Sequence, residues 1–239
     1  MHYSDQDCCR REKIKFAWYS RFKEPKLYKF AVRGDWEFVP KRCQTHPEEA
    51  QFVHKYPPSD TALHRILRNA ALSMVEETNE QNRQRIDRLK QEAVVALLQA
   101  NPPAASQPDA FGRTPLHLAC MYMEHCGEAV AFLLVESCPK GVTMRDMEGR
   151  TPVHYLLGRN GTIPLALLAK MVTMGPGVLD IRDEVSETPL DVTLARDDEI
   201  DNVEAVVAFL KDHQQGQEQT MEEQQKLEQQ ARLEGTVAT

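Results

Sequence analysis

The chain has 239 residues, 41% of them hydrophobic and 27% charged, with a formal net charge of -7. That composition is neither disordered nor membranous, and suffices for one elongated domain or two small ones. No apolar run approaches the roughly 18 to 20 residues that cross a bilayer. Asp5, Asp7, Arg10, Arg11, Glu12 and Lys13 leave no room for a secretory signal peptide, so the expected setting is cytoplasmic or nuclear, with the sequon at Asn160 unglycosylated.

From the N-terminus, residues 1–26 read as a basic and aromatic extension. Residues 10–33 carry nine Lys/Arg against Glu12 and Glu24, which gives +7, so the rest of the chain sums to -14. Ile14, Trp18 and Phe22 recur every four residues, one face of a helix. Such a helix either caps the end of the following domain or meets an anionic surface, lipid or nucleic acid. The adjacent Cys8 and Cys9 are candidates for acylation, which would add a membrane signal. Next, Leu27 to Ala31 predicts a short helix, Gly34 a turn, and Asp35 the cap of a second helix carrying Trp36 and Val39.

Beyond this point the chain repeats itself. The run Asp109-Ala110-Phe111-Gly112-Arg113-Thr114-Pro115-Leu116-His117 returns as Asp146-Met147-Glu148-Gly149-Arg150-Thr151-Pro152-Val153-His154. An altered copy follows as Asp183-Glu184-Val185-Ser186-Glu187-Thr188-Pro189-Leu190-Asp191. The three threonines stand 37 residues apart, and an earlier copy at Ser59-Asp60-Thr61-Ala62-Leu63-His64 places Thr61 53 residues before Thr114. Each threonine is followed by an apolar group at helical spacing: Val94/Leu97/Leu98, Val130/Leu133/Leu134, Leu168/Met171/Val172 and Val206/Phe209/Leu210. The first unit holds about 16 extra residues, Val75 to Gln91, whose polar composition predicts a solvated helix extension or a loop. His46-Pro47, Asn101-Pro102, Cys138-Pro139 and Gly175-Pro176 each stop a helix and favour extended backbone next. Each unit therefore reads as helix, turn, helix, proline stop and hairpin.

Thr114-Pro115-Leu116-His117-Leu118-Ala119 matches the T-P-L-H-x-A run of the ankyrin repeat, and over residues 27–213 the sequence resembles that family. The resemblance implies an all-α solenoid of stacked helix-turn-helix units, about four and a half of them, with short β-hairpin loops and an insertion near 75–91. A helical N-terminal extension (1–26) and a Gln/Glu-rich, helical or disordered tail (214–239) flank it. It implies that Thr61, Thr114, Thr151 and Thr188 tie each hairpin to a helix start and that Pro115, Pro152 and Pro189 open the helices. It implies too that His64, His117 and His154 bond neighbouring backbone. Gly112 and Gly149 suit turns with positive φ. Ser186 and Asp191, where the other units have Gly and His, fit a terminal repeat facing water, and Pro57-Pro58 predict an irregular first hairpin.

Chemistry is sparse. Six cysteines show no disulfide framework or zinc spacing. Cys120, His125 and Cys126 are the one cluster with metal or thiol character, and buried small hydrophobes explain the thiols better. Phosphate-loop, dinucleotide and HExxH motifs are missing, and Glu76-Glu77 and Asp197-Asp198-Glu199 read as solvated charge. No catalytic residue, cofactor, metal or small-molecule substrate is expected.

The expectation is a non-catalytic scaffold, acting as a monomer, that binds a partner protein. The surface would be the hairpin tips (Phe111, Arg113, Met147, Glu148, Arg150, Glu184, Val185) and the concave helical face (Met121, Tyr122, Glu124, His125, Leu157, Arg159, Asn160). Aromatic, Met and Arg side chains favour interfaces, which singles out Phe111, Arg113, Met121, Tyr122, Met147, Arg150 and Arg159. The alternative is a peripheral membrane or nucleic-acid-associated adaptor working through residues 10–33.

Overall fold

A computed structural model describes residues 24–55, 59–72, 80–196 and 200–213. The amphipathic stripe at Ile14, Trp18 and Phe22, the Cys8-Cys9 pair, Pro57-Pro58, Glu76-Glu77, the 197–199 run and the 214–239 tail lie outside the described residues. So does the 73–79 part of the insertion.

The first unit opens with α1 (Lys26–Arg33), which buries Leu27, Tyr28 and Ala31 and stops at Gly34, φ +82°. A 3-10 turn over Trp36–Phe38 leads into α2 (Val39–Thr45). Asp35 makes no side-chain capping bond, contrary to expectation; the tight turn puts three 3-10 residues between it and the α-helix. The later units follow as α3 (Ala62–Leu72) and α4 (Glu80–Ala100), then α5 (Pro115–Met121), a short α6 (Met123–Cys126) and α7 (Glu128–Ser137). After them come α8 (Pro152–Leu157), α9 (Leu165–Met174), α10 (Pro189–Leu194) and a final helix, α11, over 203–213.

Two rows of helices result. In one, α1, α3, α5, α8 and α10 each pack on the next; in the other, α2, α4, α7 and α9 do the same. A single hydrophobic cluster runs through both rows, from Leu27 to Leu210. Leu118, Leu156 and Leu168 are fully buried in it, each stabilising the stack by about 2 kcal/mol relative to exposure. The helical stripes read from the sequence supply this core, except that Leu133 and Phe209 are only half-buried. α11 is tied at its start to the loop after α8, where the Asn202 side chain accepts from Ile163 N and donates to Ile163 O, both at 2.9 Å.

The proline stops act as expected, with one refinement. Proline lacks an N–H and crowds the residue before it out of the helical region. His46, Asn101 and Cys138 accordingly sit at φ near -144°, and a 3-10 turn starts at the proline itself: Pro47–Gln51, Pro102–Ser106 and Pro139–Thr143. Each then exits through one extended residue, Phe52, Gln107 or Met144. The hairpins that follow are turns: no strand is formed among the described residues, and a single antiparallel bridge pairs Val53 with Thr61.

The described part of the insertion takes the helix-extension form, mostly exposed, with one departure at Lys90. Residues 80–91 belong to α4, and Lys90 is buried, with Nζ donating to His125 O at 2.7 Å and lying 5.0 Å from the centre of the Trp36 ring. The ammonium of an otherwise polar stretch thus fastens α4 to α6.

Candidate partner-binding surface

The units that open with α3, α5 and α8 each begin with a threonine and a histidine locked together. Thr114 N donates to His117 Nδ1 at 3.0 Å, and the Thr114 hydroxyl lies 2.8 Å from the same nitrogen. Nδ1 is therefore an acceptor, which leaves the proton on Nε2, and Nε2 donates to Arg150 O at 3.1 Å. His64 and His154 repeat the arrangement, with Nε2 reaching Arg113 O and Glu187 O at 3.3 Å. In every case the acceptor is the residue just before the next unit's threonine, so one imidazole caps its own helix and clasps the unit ahead. Burial pushes His64 and His117 down to about 4 and lowers His154, since a charged ring would be desolvated. A second proton would also point Nδ1–H at the Thr N–H.

The last unit keeps the cap without the clasp. Thr188 N donates to Asp191 Oδ2 at 2.8 Å and Asp191 N to the Thr188 hydroxyl at 3.3 Å. A carboxylate has no N–H to pass on, so the series ends there. These bonds hold the Asp191 carboxyl below its ordinary range.

Between units, an aspartate shapes each turn. Asp109 Oδ1 accepts from Phe111 N and Arg113 N at 2.8 and 2.9 Å, and Asp146 and Asp183 do the same for Glu148/Arg150 and Val185/Glu187. All three carboxylates are buried, and their second oxygens take Arg68 and Arg113, Tyr155 Oη at 2.6 Å, and Arg150 Nε at 3.3 Å respectively. Arg68 and Tyr155 were not singled out from the sequence; the recurring Asp five residues before Thr was the visible signal for the site they bind.

The turns stack. Met147 N donates to Phe111 O at 3.0 Å and Glu184 N to Glu148 O at 2.9 Å, which joins three tips into one edge. Along that edge Phe111 is 51% exposed, Met147 66% and Val185 67%, while Glu148 and Glu184 are also exposed. Arg113 bonds Asp109 and lies 4.5 Å from the centre of the Phe111 ring. Arg150 pairs with Glu148 as well as Asp183. Both arginines are half-buried and hold the turns in shape.

The helical-face candidates divide. Met121 and Tyr122 are half-buried, Glu124 and Asn160 exposed, and His125 half-buried. Leu157, expected on this face, is fully buried because its stripe turns into the core. Arg159 donates to Thr162 O at 2.8 Å and pairs with Glu124 at 3.2 Å, fixing the α8–α9 loop. Cys120 and Cys126 are buried, the Cys126 thiol donates to Leu67 O at 3.4 Å, and burial raises both pKa values, Cys126 to about 12. Neutral thiols of this kind are poor nucleophiles. Among the described residues no three His, Cys, Asp or Glu side chains are grouped to hold a metal ion. No helix among them is long and apolar enough to cross a membrane.

The family model for the ankyrin repeat matches residues 111–146, the interval from one turn tip to the next. No curated protein matches the chain.

Proposed function

This chain is an ankyrin-repeat protein, and from that premise we propose that it holds a partner protein along the stacked turn tips of residues 109–187, as a monomeric scaffold. Ankyrin repeats generally mediate protein–protein interaction and are typically non-enzymatic. The observation that carries the reading is the row of Phe111, Met147 and Val185, one large apolar side chain per tip on a backbone-bonded edge. Apolar anchors set in rigid backbone suit an interface, because little conformational freedom is lost on binding. Met121 and Tyr122 on the neighbouring helical face would extend the contact, while Arg113, Arg150 and Arg159 act by holding tips and loop in place. The function is assigned to the repeat domain, residues 27–213, with the flanking 1–26 and 214–239 outside it.

The test begins with affinity purification of the partner, followed by titration calorimetry on the purified pair. Replacing Phe111, Met147 and Val185 together by Ser should weaken binding by about a hundredfold or more, with the melting temperature unchanged because all three side chains are exposed. A Met121→Ala/Tyr122→Ala variant should weaken it less. Full affinity in the tip variant would move the interface elsewhere on the molecule.

A further inference from the structure

The α8–α9 loop carries the pair Asn160-Gly161, and of the six asparagines in the chain Asn160 alone is followed by glycine. The side-chain carbon of an asparagine can close a ring onto the next residue's backbone nitrogen, and that residue's Cβ is the usual obstacle. Glycine removes it. Asn160 is exposed, and its Oδ1 accepts from Arg196 Nη2 at 2.7 Å. The guanidinium thus stands where negative charge would build on the carbonyl oxygen during attack. Among the described residues neither Gly161 N nor Asn160 Nδ2 has an acceptor, so nucleophile and leaving group are both unengaged.

The other asparagines with described side chains lack this arrangement. Asn101 precedes a proline, which has no N–H to give up, and its Nδ2 donates to Ala50 O at 3.0 Å. Asn202 precedes the β-branched Val203, and its Nδ2 donates to Ile163 O at 2.9 Å. Asn82 is exposed but is followed by Arg83, whose Cβ obstructs the ring. Around Asn160 the charges balance: Asp201 and Glu124 approach Gly161, while Arg159 pairs with Glu124 and Arg196 holds Asn160.

We propose that Asn160 is a site of spontaneous deamidation, assisted by Arg196, and that its isoaspartyl product loosens the attachment of α11. The reaction consumes only water. Gly161 N bonds to Asn160 Cγ as the Cγ–Nδ2 bond breaks, and the amide group leaves with the Gly161 proton as ammonia. One water then opens the cyclic imide. Opening at Cγ gives aspartate; opening at the main-chain carbonyl gives isoaspartate, with the backbone rerouted through the side chain. Either product places a carboxylate before Arg196, and the second adds one atom to the backbone of a tightly held loop. Immediately after it, Arg159 Nη1 donates to Thr162 O at 2.8 Å, the Thr162 hydroxyl to Asp201 Oδ2 at 2.9 Å and Asp201 N to Gly161 O at 3.3 Å. The last two bonds, with the Asn202–Ile163 pair, hold the start of α11. A longer backbone shifts Gly161 and Thr162 off these partners. The proposal is independent of the turn-tip reading, since no tip anchor takes part.

The test ages the folded full chain at neutral pH and follows its tryptic peptides by mass spectrometry. The peptide 160–170 should gain one mass unit and become a substrate for an isoaspartyl methyltransferase, while peptides holding Asn82 and Asn202 keep their mass. Arg196→Gln should slow the gain by about tenfold, less than the loss of a buried oxyanion donor, and should change nothing in chain unfolded by urea. Asn160→Gln, which closes a larger and less favoured ring, should stop the gain; its side chain is exposed and keeps an acceptor for Arg196, so circular dichroism should show unchanged melting. Hydrogen exchange over 200–213 should quicken in the aged chain and not in aged Asn160→Gln. A folded chain that keeps its mass while the unfolded chain gains it overturns the proposal, as does a rate that ignores Arg196→Gln. Unchanged exchange over 200–213 in the isoaspartyl form overturns the loosening of α11.

Discussion

The turn at 146–149 and the turn at 183–186 are built on one template, and their two differences explain each other. Both are closed by a buried aspartate accepting two backbone N–H groups, and both take a positive φ at the fourth residue, Gly149 at +73° and Ser186 at +68°. A Cβ on Gly149 would lie 3.1 Å from Glu184 N in the turn stacked above it, and on Gly112 3.0 Å from Met147 N. Ser186 is exposed, with no further turn over it among the described residues. Glycine is needed here less for the dihedral angle than for the close approach of the next turn. The histidine follows the same logic: the units of α3, α5 and α8 use an imidazole to reach the next, α1 reaches its successor through Tyr28 Oη on Asp60, and the last unit caps its helix with Asp191.

Acid should separate the two kinds of unit most strongly. His64 and His117 are neutral when folded, with pKa near 4, and titrate near 6.5 when unfolded. The unfolded chain therefore takes up protons first, so stability is complete above about pH 6.5 and lost as pH falls toward 4. The loss is roughly 3 kcal/mol for each of these two histidines. Asp191 works in a lower window: its depressed carboxyl stabilises the folded state above the ordinary aspartate range and ceases to do so below it. Urea denaturation at successive pH values should show the larger fall between pH 6.5 and 4; a flat profile there would mean the histidines are not held neutral.

A smaller effect is expected from single deletions. His117→Ala leaves the buried Thr114 N–H without its acceptor, takes one of two donors from Arg150 O, which keeps Asp146 N, and opens a cavity; it should destabilise by about 3 kcal/mol. Asp191→Ala removes an exposed cap and should cost about 1 kcal/mol. Equal midpoint shifts in urea for the two would dissolve the distinction between clasp and cap. Substitutions in the turns themselves should act with opposite signs. Gly112→Ala should destabilise by about 2 kcal/mol, because positive φ and the contact with Met147 N act together. Ser186→Gly should instead stabilise by about 0.5 kcal/mol, since strain is relieved and nothing stacks above. Differential scanning calorimetry resolves both signs, and a stabilising Gly112→Ala would refute the stacking argument.

Much of this was legible because the repeat places chemically distinctive residues at fixed spacing. Gly112 announces a turn from residue chemistry, and Thr114, Pro115 and His117 are legible as a helix start through the resemblance to the ankyrin repeat. The direction of the histidine's second bond is not legible, because the acceptor is a carbonyl, which every residue possesses. Lys90 misled for a related reason. In a run with Arg83, Arg85 and Asp87 it reads as surface charge, and only the fold brings His125 O and the Trp36 ring to it. Leu157 followed the helical period but was placed on the wrong side of it, since the spacing of apolar residues leaves the facing direction to be set by the neighbouring helices. Arg113 and Arg150 have the side chains of an interface, and the buried aspartates claim them first.

The proton on each Nε2 always points down the chain, never up it, and this gives the stack a grammar for concatenation. A module grafted in front of residue 24 would carry its own forward-reaching imidazole and need only find the carbonyl before its successor's first helix. One appended after α11 would meet a carboxylate with nothing to offer and a side chain at Ser186 in the way. Asp191→His with Ser186→Gly is thus the minimal edit for lengthening this protein at its far end.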